Sequence, residues 1–121
     1  MRIDISLRNL TIVFSLLFIA GCANEERARS EDVLKEDLYH MRNAIDQYTQ
    51  DKSIAPQHLT DLVFAGYLHT IPKDPFTNSA STWIEVHEDA TDSIDDTPPG
   101  ISDVHSGSVR ISSQGTRYDS W

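Results

Sequence analysis

The stretch "LKEDLYHMRNAIDQYTQDK", residues 34–52, decides the fold of this chain. Its apolar side chains recur at steps of four and three residues, which places them on one face of an α-helix. They are Leu34, Leu38, Met41, Ile45 and Tyr48, and Val33 and Ala44 widen the stripe. We predict a long helix that starts near Ser30, which is placed to cap it, and ends near Asp51 or Lys52 because Pro56 follows.

The charged residues of this helix fit a solvent-exposed face. Glu31 lies four residues before Lys35, and Arg42 lies four residues before Asp46. Side chains at this spacing are neighbours on a helix surface. We therefore predict ordinary surface pairs at both places.

A short second helix is predicted over residues 57–65. Apolar residues repeat there at helical spacing, at Leu59, Leu62 and Val63. Gly66 follows and is suited to end the helix in a left-handed turn.

The last part of the chain is predicted to form a small antiparallel sheet. After a turn-rich connection over residues 71–78, apolar and polar residues alternate over 82–87, as in a strand. Residues 108–112 are predicted as a second strand and residues 116–121 as a third edge. A sheet this small is marginal by itself, so we expect it to pack on the long helix in an α+β fold.

The totals restrict the classes of function. The chain of 121 residues has room for one domain, and its net charge of −9 disfavours binding to nucleic-acid phosphates. Residues 84–109 contain no Lys or Arg but several Asp and Glu. This stretch is either a solvated acidic loop or a place for a hard cation.

The amino terminus has the three parts of an export signal. Arg2 and Arg8 precede an apolar segment over residues 10–20, and Gly21 and Cys22 follow it. The apolar segment has about 11 residues, whereas a membrane-spanning helix needs about 20. We therefore expect no permanent span.

Residues 19–22, "IAGC", are similar to the lipobox of bacterial lipoproteins. The resemblance implies cleavage between Gly21 and Cys22, a diacylglyceryl thioether on Cys22, and acylation of its new amino group by a fatty acid such as palmitate. Ala23 stands where inner-membrane lipoproteins typically have aspartate, which implies an outer-membrane anchor facing the periplasm. The alternative is an ordinary signal peptide with an incidental cysteine. We predict a signal peptide, a lipidated tether and a globular domain over residues 1–21, 22–30 and 31–121.

Several phrases stand in order along residues 33–121. They are "LKEDLYHMRNAIDQYTQDK", "APQHLTDLVFAGYL", "IPKDPFTN" and "DVHSGS…QGTRYDSW". Together they resemble the globular part of the major pseudopilin of type II secretion, and type IV pilin-like proteins more broadly. The resemblance implies a pilin-like fold and the role of a pseudopilin, which polymerises into a short periplasmic filament that helps push folded proteins through an outer-membrane channel.

The amino terminus departs from that family. A pseudopilin has Gly before Phe or Met, a Glu five residues in, and then about 20 apolar residues that are buried in the filament. Here Cys22 follows Gly21 and charged residues come next. We therefore expect a lipid-anchored accessory or docking component, with type II secretion or type IV pilus components as partners. A true pseudopilin subunit and a free-standing periplasmic binding module remain alternatives.

The family resemblance also implies a possible calcium site, because such domains often bind calcium in loops beside their last strands. Hard oxygen ligands lie in the corresponding region. The tentative ligands are Asp92, Asp95, Asp96, Asp103 and Ser106, with Asp103 foremost. The alternative is a solvated acidic loop.

No catalytic motif is present in the sequence. It has no GxSxG, no HExxH and no phosphate-cradling glycine loop, so we predict no enzymatic activity and no small-molecule substrate. His87 and His105, with Asp103 nearby, are a conceivable transition-metal pair, although surface histidines are the simpler interpretation. The aromatic residues Tyr67, Trp83, Tyr118 and Trp121 are predicted to pack in the core or at its edge.

Overall fold

A long helix, α1, is the first element of the fold. The structure is a computed structural model that describes residues 2–88 and 98–121, with side chains described from residue 22 onward. In it α1 spans Arg2–Lys52, so its predicted end is confirmed. Ser53 follows with a φ of 59°, which lies outside the helical range.

The start of α1 differs from the prediction. Ser30 does not cap the helix, because residues 22–30 are themselves helical and continue it towards the amino terminus. This segment contains Ala, Glu and Arg, which favour helix, and no Pro or Gly that would interrupt it. We call residues 22–30 the stalk.

The apolar stripe of α1 forms one wall of the core. Leu34, Leu38, Met41, Ala44 and Ile45 are all buried, as predicted, and Tyr48 is partly buried against them. The opposite wall consists of Leu59, Leu62, Trp83, Ile101, Val104 and Tyr118. Val33 was expected on the stripe, but it is 46% exposed because it lies at the edge of the buried face.

A short helix, α2, spans Leu59–Phe64 and buries Leu59 and Leu62 against α1. The Asp61 carboxylate accepts hydrogen bonds from the backbone amides of Gln57 (2.9 Å) and His58 (3.1 Å), which satisfies donors at the helix start. Gly66 has a φ of +85°, so the predicted left-handed end is confirmed.

Two antiparallel strands complete the α+β fold. β1 spans Ile84–His87, and β2 spans Ile101–His105. A shift of register after Val86 leaves an extra residue on β2, which is a β-bulge. The bulge lets Ile101 and Val104, three residues apart, both reach the core.

The predicted strand over residues 108–112 is wrong. Serine hydroxyls in this segment take up the backbone amides that a strand would offer to a neighbour. The Ser108 amide donates to the Ser106 hydroxyl (3.1 Å), and the Arg110 amide donates to the Ser108 hydroxyl (3.3 Å). The chain therefore bends here and leaves only one isolated bridge, between Ile111 and Arg117.

The predicted third edge over residues 116–121 is also wrong, because Tyr118–Ser120 forms a short 3-10 turn. The turn places the Tyr118 ring in the core, stacked on Phe76 with 3.8 Å between ring centroids. The segment reaches this position by way of Gly107, which passes so close to Thr82 that a Cβ atom there would overlap the Thr82 carbonyl.

Candidate functional site

Cys22 lies on the stalk, in a part of α1 that precedes the residues buried in the core. Residues 22–29 are exposed, and Cys22 is a free, exposed cysteine. The nine helical steps from Cys22 to Glu31 rise about 13 Å along the helix axis. The Gly21–Cys22 peptide bond, where cleavage is predicted, lies within the backbone of the helix. The stalk therefore presents the predicted lipidation residue to solvent.

The stalk joins the core at Glu31, which is buried rather than paired on the surface. Its Oε1 accepts hydrogen bonds from the Ser113 amide (2.8 Å) and the Tyr118 hydroxyl (2.8 Å). Its Oε2 accepts a further bond from the Ser113 hydroxyl (2.6 Å). These bonds join the start of the buried part of α1 to the last part of the chain.

The charge state of Glu31 follows from these bonds. Burial by itself raises the pKa of the carboxyl, but the hydrogen bonds from Ser113 and Tyr118 outweigh burial and hold the pKa below its usual value. Burial and the bond to Glu31 raise the pKa of Tyr118 to about 12. The pair is therefore a carboxylate and a neutral phenol at ordinary pH.

A second buried carboxylate, Asp74, fixes the "IPKDPF" turn. Its Oδ2 accepts hydrogen bonds from the Ser106 hydroxyl (2.5 Å) and the Gly107 amide (3.2 Å). Its Oδ1 accepts a bond from the Phe76 amide (2.9 Å). The turn and the segment after β2 are thus held together by one side chain.

Arg42 connects α1 with β2 and with the last residue of the chain. Its Nε donates to the Oδ1 of Asp103 (2.7 Å), and one terminal nitrogen donates to the carbonyls of Val104 (2.9 Å) and Trp121 (2.9 Å). Burial raises the pKa of Asp103, but the Val104 amide and the Arg42 guanidinium outweigh burial and lower it. Asp103 is therefore a carboxylate held by an arginine of the same chain.

The structure does not bring the described calcium candidates together. Asp103 faces Arg42, whereas the buried Ser106 hydroxyl donates to Asp74. The other candidates, Asp92, Asp95 and Asp96, lie outside the described residues. Within residues 2–88 and 98–121, no group of three or more His, Cys, Asp or Glu side chains is placed to hold a metal ion. Calcium binding therefore stays a prediction.

The suggested histidine pair is wrong. In the strand register His87 lies opposite Ile101, and His105 lies opposite Ile84, so the two histidines are at opposite ends of the ladder. The Nε2 of His105 lies 3.7 Å from Asp103, and its Nδ1 contacts the Trp121 carbonyl. Each histidine therefore belongs to a separate contact.

A groove of about 440 Å³ lies between α1 and the end of the chain. Lys35 and Arg42 line one side, and Gln114 and Trp121 line the other. The Lys35 ammonium is 5.1 Å from the centroid of the Trp121 ring, within cation–π range. Arg42, the second cation that lines this groove, is already bonded to β2 and Trp121.

Sequence reasoning missed the two buried carboxylates. Glu31 was assigned to a surface pair from its spacing to Lys35, and Asp74 was assigned to a turn. The partners of both carboxylates lie far along the chain, and no local pattern reports them. The packing predicted for the aromatic residues is confirmed for Trp83 and Tyr118, which are buried, and for Tyr67 and Trp121, which are partly buried against the core.

Comparison with protein families, with curated proteins and with solved structures finds no match for this chain. The likeness to pseudopilins and its functional implications therefore stay predictions. In the described part of the chain, no helix is both long and apolar enough to cross a membrane.

Proposed function

We propose that this chain is a bacterial envelope lipoprotein, attached through acyl chains on Cys22, whose pilin-like head docks on components of protein secretion. The observation that carries the proposal is the exposure of Cys22 on a helix whose other half holds the core. A lipid on an exposed stalk residue disturbs no packing. The signal-like residues 1–21 before Cys22 support cleavage at this point.

The attachment point determines which end of the domain lies farthest from the membrane. From Cys22 to Lys52 the helix rises about 45 Å, so α2 and the end of α1 lie far from the lipid. Acyl chains on one residue bind a bilayer through the burial of their methylene groups, and two or more chains anchor stably. The head is thus presented on the periplasmic side, from the outer membrane if Ala23 acts as in other lipoproteins.

The proposed role is binding rather than catalysis. Support comes from the buried carboxylates Glu31 and Asp74, whose oxygens accept hydrogen bonds within the fold. The order of elements, a long helix followed by a short helix and an antiparallel pair, supports a pilin-like head. On α1 the Tyr39 side chain is 63% exposed, and an exposed aromatic residue is a suitable anchor for a protein partner.

One observation favours a second candidate, a true pseudopilin subunit. The backbone of α1 runs without a break from Arg2 through Gly21–Cys22 to Lys52. A filament subunit keeps such a continuous helix, whereas a lipoprotein loses its first part by cleavage. The two candidates therefore predict different mature amino termini.

The mass of the mature protein tests the proposal. The full chain is expressed in a bacterium with type II secretion, extracted from membranes, and measured intact beside the Cys22→Ser variant. We expect a wild-type mass that starts at Cys22 and includes its lipid, and a Cys22→Ser protein that leaves the membrane fraction. Ser30→Ala, a change on the same stalk, is the control and should keep both lipid and membrane attachment.

A wild-type mass that retains residues 1–21 without lipid, with Cys22→Ser still in the membrane, would overturn the lipoprotein assignment.

Docking is tested with a photo-crosslinking amino acid at Tyr39. We expect crosslinks to secretion components, compared with the same probe at the exposed Ser102. Equal crosslinks, or none, at the two positions would contradict this docking face.

A further inference from the structure

A cavity of about 300 Å³ lies between the stalk and the loops beside it. The stalk contributes Ala23, Arg27 and Ser30, and the loops contribute Pro75, Phe76 and Arg110. Ala23 is the neighbour of Cys22, so the cavity begins one helix residue, about 1.5 Å of rise, from the proposed lipid. Any ligand in the cavity would therefore lie beside the attachment point.

Two guanidinium groups give the cavity its chemistry. In the described part of the chain, neither Arg27 nor Arg110 forms a salt bridge with a carboxylate. The guanidinium carbon of Arg110 is 5.6 Å from the centroid of Phe76, within cation–π range, and Phe76 is fixed in turn by Asp74. The positive charges of both arginines act on the same buried phenol, Tyr118, and offset a small part of the rise in its pKa that burial and Glu31 cause.

The cavity also holds groups that modulate these charges. Ser30 adds a hydroxyl, and Glu26 adds one carboxylate among the lining residues. Two cations and one anion leave a net positive site on a chain with a net charge of −9. Guanidinium groups bind the oxygens of anions such as phosphate in pairs of parallel hydrogen bonds, which favours an anionic ligand over a neutral one.

The loop that carries Arg110 has exposed apolar side chains on both sides of it. Val109 is 64% exposed and Ile111 is 56% exposed. Apolar side chains that flank a cation suit the boundary of a bilayer, where the apolar groups enter the acyl region and the cation stays at the headgroups. A free phosphate ion would use the arginines but would leave these two side chains in water.

From these observations we infer that Arg27 and Arg110 bind the phosphate of an anionic phospholipid, while Val109 and Ile111 enter the membrane boundary. This inference rests on the proposed lipid anchor at Cys22, which brings the cavity to the bilayer surface. The head then has two membrane contacts, the acyl chains and the headgroup site. The second contact fixes the orientation of the head relative to the membrane plane.

Fluorescence at Val109 tests the inference. The full-length gene is expressed with Val109→Cys, and the purified lipidated protein is labelled there with an environment-sensitive dye. It is reconstituted into vesicles of phosphatidylcholine, with and without phosphatidylglycerol. We expect a blue shift that needs phosphatidylglycerol, and a half-maximal mole fraction of this lipid that rises about fivefold for each arginine replaced by glutamine.

The controls separate a local effect from a general one. Arg27→Gln changes an exposed stalk residue and leaves the core intact, so it tests the site even if Arg110→Gln alters the loop. Arg117→Gln is the matched control, because Arg117 is already bonded to Asp119 at 2.6 Å. A dye at Thr60→Cys, on α2 far from the lipid, should not respond to the vesicles.

The inference is overturned if the Val109 signal is the same without phosphatidylglycerol, or is unchanged by Arg27→Gln and Arg110→Gln together. It is also overturned if inorganic phosphate gives the same signal without vesicles, because the ligand would then be a free anion. Failure of the lipid anchor is detected separately. Without the thioether Cys22 is a free thiol, so a protein that lacks the Val109→Cys change would react with the dye at Cys22. The Cys22→Ser, Val109→Cys protein on the same vesicles then tests the headgroup site alone.

Discussion

Removing the buried Glu31 carboxylate should destabilise the domain more than removing an exposed carboxylate of α1, such as that of Glu36. Glu31→Ala leaves the Tyr118 hydroxyl, in a residue that is 1% exposed, without its acceptor. Ser113 also loses an acceptor for its amide and its hydroxyl, but Ser113 is exposed and regains water. The two losses therefore differ in cost.

The magnitude follows from this difference. A buried donor that loses a charged acceptor costs about 1.5–3 kcal/mol, and a solvent-accessible donor costs about 0.5–1 kcal/mol. We expect Glu31→Ala to lower the free energy of unfolding by about 2–4 kcal/mol. For a domain of this size that corresponds to a fall in Tm of roughly 10 °C or more.

A double-mutant cycle with Tyr118→Phe isolates the buried bond. In wild type, Tyr118→Phe should cost about 1–2 kcal/mol, because Glu31 keeps its two bonds from Ser113. In the Glu31→Ala background the same change removes an unpaired hydroxyl and should be neutral or stabilising. The coupling energy should thus be at least about 1–2 kcal/mol.

Urea unfolding followed by circular dichroism measures all four proteins, with Glu36→Ala, an exposed change on the same helix, as control. The pH dependence adds a second check. Because the folded state lowers the pKa of Glu31, its stabilisation is present above the unfolded pKa and is lost as the pH falls through the folded one. Wild type and Glu31→Ala should therefore converge in acid. Equal costs of Tyr118→Phe in both backgrounds would refute this account.

Three further changes test other contacts. Because the folded state raises the pKa of Tyr118 to about 12, stability should be full below pH 10 and fall between pH 10 and about 12, which phenolate absorbance and circular dichroism follow together. Gly107→Ala should lower the free energy of unfolding by at least about 3 kcal/mol or prevent folding, since its Cβ would overlap the Thr82 carbonyl. Gly115→Ala, at a φ of +83° in open space, should lower it by only about 1–2 kcal/mol. Thermal melts compare the two variants. Arg42→Lys should cost about 1–2 kcal/mol in urea, because an ammonium does not reproduce the forked bonds of a guanidinium, and unchanged stability would contradict the bridging role.

The helical half of the fold was predictable because its signals are local. The spacing of apolar residues from Leu34 to Tyr48 defines the buried face of α1, and Pro56 limits its end. Gly66 ends α2 because its left-handed φ needs no distant partner. The start of α1 was mispredicted, since Ser30 is a good cap only when the preceding residues are not helical.

The second strand was missed for physical reasons. β2 places Ile101 and Val104 in the core three residues apart, which a strand does only with a bulge, so its sequence has no alternation. The segment "SVRIS", residues 108–112, alternates well, but its serine hydroxyls compete for the backbone amides. Alternation predicts a strand only where the backbone groups are free to pair.

The residues of the candidate site also differ in whether the local sequence points to them. Cys22 was singled out by the few residues around it, and its lipidation stays a prediction. The cavity of Arg27 and Arg110 instead joins residues more than half the chain apart. The buried carboxylates are a similar case: Ser106 is 32 positions from Asp74, and Ser113 is 82 positions from Glu31. Such partners depend on the completed tertiary fold.

The bond between Glu31 and Tyr118 spans 87 positions of sequence and has a consequence for biogenesis. A ribosome or a translocation channel releases the chain amino end first, so the long helix emerges well before Ile101, Val104 and Tyr118 can cover it. Contacts this distant also form slowly, because a long loop must close first. The packed domain can therefore form only after Tyr118 has been released, and until then the apolar face of α1 stays uncovered.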